Sequence, residues 1–146
     1  MRCYSGEMTR AVIDTNVLVA GLSRRGSEGA VLDAWVDGRF QPCVPTALAL
    51  EYEDLLTRKL GRERQDTIPG ALQALLSRSE YVPIHFTYRP ASPDPADDLV
   101  VDCVLNSGAL LVTANVRDFR KPAEELGFPV YGPLQFLGLL EQEETP

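Results

Sequence analysis

The sequence predicts a single α/β domain in which helices flank a central parallel sheet of four to five strands, giving three layers. Short apolar, β-branched runs such as residues 11–13 are typical of strands buried in a parallel sheet. Segments with helical spacing alternate with these runs, without internal repeats or a linker. With 146 residues, of which 45% are hydrophobic and 24% charged, the chain is long enough to bury one substantial core.

Strands and helices are predicted in regular alternation. Apolar β-branched runs predict the strands, and apolar residues spaced three to four apart predict the helices. The predicted strands cover residues 11–13, 40–44, 81–86, 109–112 and 129–131. One helix is predicted directly after the first strand, and the others cover residues 28–36, 46–59, 69–78, 95–105 and 134–140. Pro83 indicates that the third strand lies at a sheet edge.

The distribution of apolar residues and cysteines limits the classes of protein to which this chain can belong. No window contains the ~20 apolar residues that a membrane helix needs, and the N-terminus lacks the apolar core of a signal peptide. We therefore expect a cytoplasmic protein that does not insert into membranes, with residues 1–10 as an N-terminal extension and 141–146 as a frayed tail. The scattered cysteines form no CxxC pair, which argues against a disulfide framework and a zinc site, and Cys43 and Cys103 fit small core positions.

The net charge of −7 is unusual for a protein that binds nucleic acid. Acids gathered at a metal site would account for part of it, since a bound cation reverses the local charge. Basic residues are also clustered, at Arg58, Lys59, Arg62 and Arg64. This cluster is a candidate phosphate contact, although such a run usually forms a solvated surface.

Asp14 ends the first predicted strand and is followed by Thr15 and Asn16. A carboxylate at the C-terminal end of a central parallel strand lies where open α/β sheets place their ligand chemistry. Asp14 or Thr15 would serve equally well as the N-cap of the helix that follows. This segment alone leaves both interpretations open.

Two further acids are poorly explained by ordinary surface or capping roles. Glu51 lies within the apolar stripe of the helix over residues 46–59, where a carboxylate is costly unless it is paired. The alternative is that Glu51 lies at the margin of the stripe and pairs with a nearby arginine. Asp94 and Asp97 fit the N-cap and capping-box positions of the next helix, which leaves Asp98 without a capping role.

Polar residues also follow the fourth predicted strand, namely Thr113, Asn115 and Asp118. If strands one and four are adjacent, their C-terminal ends open at the same edge, at a topological switch point. Carboxylates gathered there repel one another, and a divalent cation removes the conflict. Oxygen ligands favour Mg²⁺ or Mn²⁺ over zinc. An acidic cluster of this type commonly serves phosphodiester hydrolysis, in which the metal activates the attacking water.

These motifs resemble those of PIN-domain ribonucleases. The resemblance rests on residues 14–16 after a strand, Glu51 within residues 49–52, residues 97–99 at the start of a helix, and residues 113–119. Motif order and spacing agree over roughly residues 11–131, and the nearest group is the VapC-like toxin component of bacterial toxin–antitoxin modules. The resemblance implies a PIN fold, Mg²⁺- or Mn²⁺-dependent endoribonuclease activity on RNA, a homodimer, and a small antitoxin protein as partner.

The resemblance also implies a role for each matching residue. Asp14 is the central metal ligand, Asp98 is the second ligand, and Glu51 binds metal or orients the water. Thr15 and Asn16 shape the site through hydrogen bonds, with Asn16 the more direct participant, and Thr113 holds the turn after the fourth strand.

At the last acidic position this chain departs from the family pattern. Many members have Thr-x-Asp where this sequence has Thr113, Ala114 and Asn115. Asn115 can accept a contact from metal or water but adds no charge, so metal binding would be weaker. Asp118 is then the candidate for the fourth acid and metal ligand.

Two other functions are open to this sequence. A PIN-fold protein that binds RNA or a protein partner without cleaving would suit the acidic balance and Asn115. A phosphatase of the haloacid-dehalogenase type would use Asp14 as a nucleophile. It would need a second aspartate at the position of Asn16 and a suitably placed lysine, and the chain contains only Lys59 and Lys121.

Overall fold

The computed structural model describes residues 8–23, 26–60, 66–87 and 95–144. The strands are β1 (Arg10–Ile13), β2 (Gln41–Val44), β3 (Glu80–Tyr81), β4 (Leu110–Val112) and β5 (Val130–Tyr131). The helices are α1 (Thr15–Leu22), α2 (Gly26–Val36), α3 (Thr46–Lys59), α4 (Ile68–Leu76), α5 (Pro95–Ser107), α6 (Val116–Leu126) and α7 (Pro133–Glu144). Within these residues, five parallel strands form one sheet flanked by seven helices. The predicted fold class is confirmed.

The sheet changes its winding direction between β1 and β4. Its strand order is β3-β2-β1-β4-β5, so the chain adds two strands on one side of β1 and then two on the other. Ile13 is in register with Val112, which places the ends of β1 and β4 at the same level. The condition for a shared opening of these two strands is therefore met, and open α/β sheets bind their ligands in the crevice beyond the C-terminal ends of such strands.

Aromatic residues connect helices α2, α4 and α7 in one core. Trp35 of α2 is 1% exposed, and its indole N–H donates to the carbonyl of Leu75 in α4 at 2.9 Å. The Trp35 ring packs edge-on against Phe40, which packs edge-on against Phe136 of α7. No helix in the described part of the chain is long and apolar enough to span a membrane.

The third strand is much shorter than predicted. β3 lies at the sheet edge, as Pro83 indicated, but it ends at Tyr81, whereas the prediction extended to residue 86. Pro83 has no N–H to donate to a ladder, which limits the pairing of this segment. Asn106 of α5 holds the continuation instead: its Oδ1 accepts the N–H of His85 at 2.8 Å, and its Nδ2 donates to the carbonyl of Phe86 at 2.9 Å.

Helix α6 is absent from the elements predicted by sequence pattern. Its sequence is mostly charged, and Pro122 lies in its interior, where proline is usually a helix breaker. The helix is fixed by the burial of Phe119 and Pro122, and it ends at Gly127, whose φ of +78° suits glycine.

The last helix, α7, continues to Glu144, beyond the predicted bound at residue 140. Arg39 forms an ion pair with this last turn, in which Arg39 Nε lies 2.7 Å from Glu144 Oε2.

Two free thiols lie in the core, as predicted. Cys43 of β2 and Cys103 of α5 are both fully buried, and the Cys103 thiol donates to the Cys43 carbonyl at 3.4 Å. Burial raises the pKa of Cys43 from 9.0 to about 11, and it also raises the pKa of Cys103. Both thiols therefore stay protonated in the folded protein at pH values where they ionise in the unfolded chain.

We expect the free energy of unfolding to fall as the pH rises from about 9 towards about 11. The unfolded chain releases both thiol protons near pH 9 while the folded chain keeps them, so each thiol costs about 1.4 kcal/mol per pH unit. Urea unfolding between about pH 8 and about pH 10.5 measures this slope. The slope should be shallower in Cys43→Ala, and a stability that is constant over this interval would refute the expectation.

Candidate functional site

Asp14 lies at the C-terminal end of β1 and is only 1% exposed. It occupies the N-cap position of α1, yet its carboxylate makes no capping hydrogen bond. Asp14 Oδ2 instead accepts the hydroxyl of Thr113, which follows β4, at 2.7 Å. The Asp14 N–H donates to the carbonyl of Val112 at 2.9 Å. The neighbouring strand thus holds both the backbone and the side chain of Asp14, and simple capping does not explain this aspartate.

Thr113 connects Asp14 with the start of α6. The Thr113 side chain is fully buried. Its hydroxyl donates its single proton to Asp14 and accepts the N–H of Asn115 at 3.0 Å, so the direction of the O–H bond is set from both sides. Thr15 is also buried, and its hydroxyl makes a long hydrogen bond of 3.4 Å to Asp14 Oδ1. Two hydroxyl groups therefore face the two oxygen atoms of one buried carboxylate.

Tyr52 of α3 supports the same strand end, through a contact that is absent from the predicted site. The Tyr52 hydroxyl donates to the Ile13 carbonyl at 2.5 Å. In the β1–β2 pair, the Gln41 N–H donates to the Thr9 carbonyl at 2.8 Å. Parallel ladders repeat every second residue, so the Ile13 carbonyl would meet position 45. That position is Pro45, which has no N–H, and Tyr52 supplies the missing donor.

Burial keeps the Tyr52 hydroxyl protonated. It raises the pKa of Tyr52 well above its ordinary value of 10.0, and the nearby Cys103 and Asp14 raise it further. The sequence did contain a signal, because a tyrosine in an apolar helix stripe needs a partner for its hydroxyl. The identity of that partner depends on strand register, which the stripe does not encode.

Tyr52→Phe is expected to lower the free energy of unfolding by about 1–3 kcal/mol, because the Ile13 carbonyl would remain buried without a donor. Urea unfolding measures the difference. Tyr81→Phe is the matched control, since Tyr81 is 65% exposed and should lose no more than about 0.5 kcal/mol. Equal losses in the two variants would show that the Tyr52 hydrogen bond does not hold the strand end.

The remaining candidate residues lie on helices around Asp14. Glu51 of α3 and Asp98 in the first turn of α5 are half-buried. Asn16 in α1, Asn115 at the N-cap of α6 and Asp118 in the first turn of α6 are exposed. Helices α1, α3 and α6 each begin directly after a strand, and α5 packs against both β1 and α3. The first turns of α1, α3 and α6 therefore all lie beyond the C-terminal ends of the parallel strands.

The structure does not gather these acids into one ligand group. Across the described ranges, no three Asp, Glu, His or Cys side chains lie close enough to hold a metal ion together. The type of donor still fits a hard divalent cation, because each candidate ligand offers carboxylate oxygen. Hydrogen bonds from Thr113 and Thr15 fix the orientation of the Asp14 side chain.

Comparisons with solved structures place this fold among known proteins. A chain of VapBC2 from Rickettsia felis, solved bound to a DNA fragment from its promoter, is similar with a TM-score of 0.63 and 16% identity, over 85% of this chain and 98% of that one. A chain of FitAB bound to the IR36 DNA fragment is similar with a TM-score of 0.55 and 13% identity, over 84% of this chain and 94% of that one. At these identities the similarity shows the fold alone.

The sequence itself also matches a family. A comparison with curated proteins found no match. Residues 10–117, however, match the PIN domain. The matched range includes Asp14, Glu51, Asp98, Thr113 and Asn115, and it ends directly before the exposed acid in the first turn of α6. Because this match covers well over half of the sequence, the chain belongs to the PIN domain family.

Proposed function

We propose that this chain is a Mg²⁺- or Mn²⁺-dependent endoribonuclease that hydrolyses RNA phosphodiester bonds in the crevice beyond β1 and β4. The observation that carries this proposal is the buried Asp14 carboxylate, which lies at the topological switch point and is oriented by Thr113. PIN domains are generally nucleases, and the family match supports this class of reaction. The positions of Asp98 and Glu51 on helices that pack near β1 support it further.

A bound divalent cation would lower the pKa of the attacking water and offset negative charge on the phosphate. Asp14 would be its central ligand and Asp98 the second, with Asp118 as the fourth acid. Glu51 would bind the same cation or orient the water. Carboxylate ligands of this kind suit either Mg²⁺ or Mn²⁺.

The other residues would prepare the site without carrying charge. Thr113 directs its proton at one oxygen of Asp14 and so limits rotation of the carboxylate. Thr15 and Asn16 would shape the site through hydrogen bonds. Asn115 is exposed, and its side chain does not cap α6, so its amide is available to water or to a phosphate oxygen.

We further propose that the protein is the toxin of a toxin–antitoxin pair, acting in the cytoplasm as a homodimer and held inactive by a small antitoxin. The support is the fold shared with chains of VapBC2 and FitAB, each solved in a complex with DNA. Co-expression with the product of a neighbouring small gene, followed by size-exclusion chromatography, tests both assemblies. A monomer that forms no complex would contradict this part of the proposal.

Incubation of the purified protein with a labelled single-stranded RNA pool in EDTA, Mg²⁺ or Mn²⁺ tests the reaction itself. We expect fragments with either metal and none in EDTA. Purified Asp14→Asn, prepared in parallel, controls for contaminating nucleases. Intact RNA under every condition, from a folded protein, would contradict the nuclease proposal.

A PIN-fold protein that binds RNA or a protein partner without cleaving is the second candidate. Two observations favour it: no group of three metal-ligating side chains forms within the described residues, and Asn115 replaces the last acid. This candidate predicts RNA affinity or partner affinity together with intact RNA in all three conditions. The phosphatase interpretation has no support from the family match.

A further inference from the structure

Helix α6 presents three basic side chains beside the candidate site. Arg117, Arg120 and Lys121 are all exposed. Their spacing places them on one face of the helix, opposite the buried Phe119 and Pro122 that attach α6 to the core. We call these three residues the α6 basic face.

The acidic residues of α6 leave the first two turns of this face positive. Glu124 is exposed on the same face, but it lies one turn further towards the C-terminus. Asp118 and Glu125 are exposed at the flank of the face. Asp118 lies about a quarter of a turn from Arg117, and Glu125 lies about one turn beyond Lys121, towards the C-terminus. Positive charge is therefore concentrated at the end of α6 that is nearer to the switch point.

The α6 basic face differs in its pairing from three of the other basic residues. Arg10, Arg39 and Arg58 each form an ion pair, with partners Glu80, Glu144 and Asp54. In the described part of the chain, no ion pair joins Arg117, Arg120 or Lys121 to a carboxylate. Lys59 and Arg78 also form no ion pair within the described residues, but they do not belong to a group of three. Three like charges within two turns repel one another, and this happens in a chain with a net charge of −7. An external polyanion would compensate them.

Two successive hydrogen bonds connect the start of α6 to Asp14 through Thr113. Asn115, the N-cap of α6, donates its N–H to the Thr113 hydroxyl, and that hydroxyl donates to Asp14. Arg117 is thus two residues from Asn115 and four residues from Thr113, whose hydroxyl orients the proposed catalytic carboxylate. One helical turn rises about 5.4 Å, so Arg120 and Lys121 lie about one turn further along α6.

We infer that the α6 basic face binds the sugar–phosphate backbone of RNA next to the bond that is cleaved. This inference rests on the proposed function, and it explains how an acidic protein holds a polyanion. The guanidinium groups of Arg117 and Arg120 match phosphate oxygens in pairs, and Lys121 adds a point charge. RNA is a better candidate than an acidic protein segment because the face adjoins Asp14. By contrast, Arg58 is paired on its own helix, and Arg62 and Arg64 lie outside the described residues.

Fluorescence anisotropy with labelled single-stranded RNA in EDTA measures binding without cleavage. The test compares wild type with the triple variant Arg117→Gln, Arg120→Gln and Lys121→Gln over a series of salt concentrations. We expect the triple variant to bind at least about tenfold more weakly, with a salt slope that falls by about 2, since each phosphate contact contributes about 0.7. Circular dichroism confirms that the variant is folded.

Arg78→Gln is the matched control. Arg78 is exposed. Its carbonyl accepts a hydrogen bond from Gln41 Nε2 at the start of β2, so Arg78 lies near the N-terminal ends of the strands, whereas Asp14 lies at a C-terminal end. The RNA affinity and the salt slope of the Arg78→Gln variant should equal those of wild type. An unchanged slope in the triple variant would overturn the inference, and so would a wild type that binds polyglutamate but not RNA. RNA binding through these residues without cleavage would overturn the proposed hydrolysis alone.

Discussion

Asp14→Asn is expected to lower the rate of metal-dependent RNA cleavage by about a hundredfold or more while the fold stays intact. The amide has nearly the same shape as the carboxylate, and its oxygen can still accept the Thr113 hydroxyl. The negative charge is lost, however, and that charge is what a divalent cation requires of its central ligand. The variant therefore separates the charge of residue 14 from its place in the hydrogen-bond network.

Single-turnover cleavage of one labelled RNA in Mn²⁺ measures this effect. Asp37→Asn is the matched control, because Asp37 is exposed and lies between α2 and β2, at the edge of the sheet where β2 begins. We expect its rate to equal that of wild type. Thermal unfolding should show all three proteins folded at the assay temperature. If Asp14→Asn retained more than about half of the wild-type rate, the crevice beyond β1 and β4 would not be the site of cleavage.

Thr113→Val is expected to lower the same rate by about ten- to a hundredfold. Valine has the shape of threonine but cannot donate to Asp14 or accept the N–H of Asn115. A hydrogen bond to a charged group contributes about 1.5–3 kcal/mol, which corresponds to this range of rates if the bond orients the carboxylate during the reaction. The loss should appear mainly in kcat, because Thr113 is fully buried and does not face the RNA.

Thr113→Ser provides the control for this prediction. Serine keeps the hydroxyl and removes one methyl group, so we expect most of the activity to return. Kinetics of wild type and both variants at saturating Mn²⁺ distinguish a positioning role from a packing role. If Thr113→Ser were as slow as Thr113→Val, the loss of the methyl group would explain the lower rate. The hydrogen bond to Asp14 would then not contribute to catalysis.

The fold was largely predictable because its signals are local. The β-branched run before Asp14 and the apolar stripe of α3 lie within single segments, and α3 has the predicted bounds, Thr46–Lys59. Strand length was less predictable, since the extent of β3 depends on the neighbour with which it pairs. Helix α6 was missed because its burial involves Phe119 and Pro122 and leaves most of its sequence charged.

The candidate site was predictable in position but not in detail. Asp14 could be placed because a strand end and a helix start are adjacent in the sequence. The contact between Tyr52 and Ile13 could not be predicted, because it depends on which residue of β2 lies opposite Ile13. Local pattern also cannot show whether acids on α3, α5 and α6 approach Asp14, since that distance depends on the packing of three helices.

If Asp14 and Asp98 hold the same divalent cation, removal of one charge must weaken the binding of that cation. The most direct test is the initial rate of RNA cleavage as a function of Mn²⁺ concentration for wild type, Asp98→Asn and Asp37→Asn. We predict that Asp98→Asn needs about tenfold more Mn²⁺, or higher still, to reach half of its maximal rate, whereas Asp37→Asn follows the wild-type curve. The same Mn²⁺ dependence in all three proteins would contradict a metal site shared by Asp14 and Asp98.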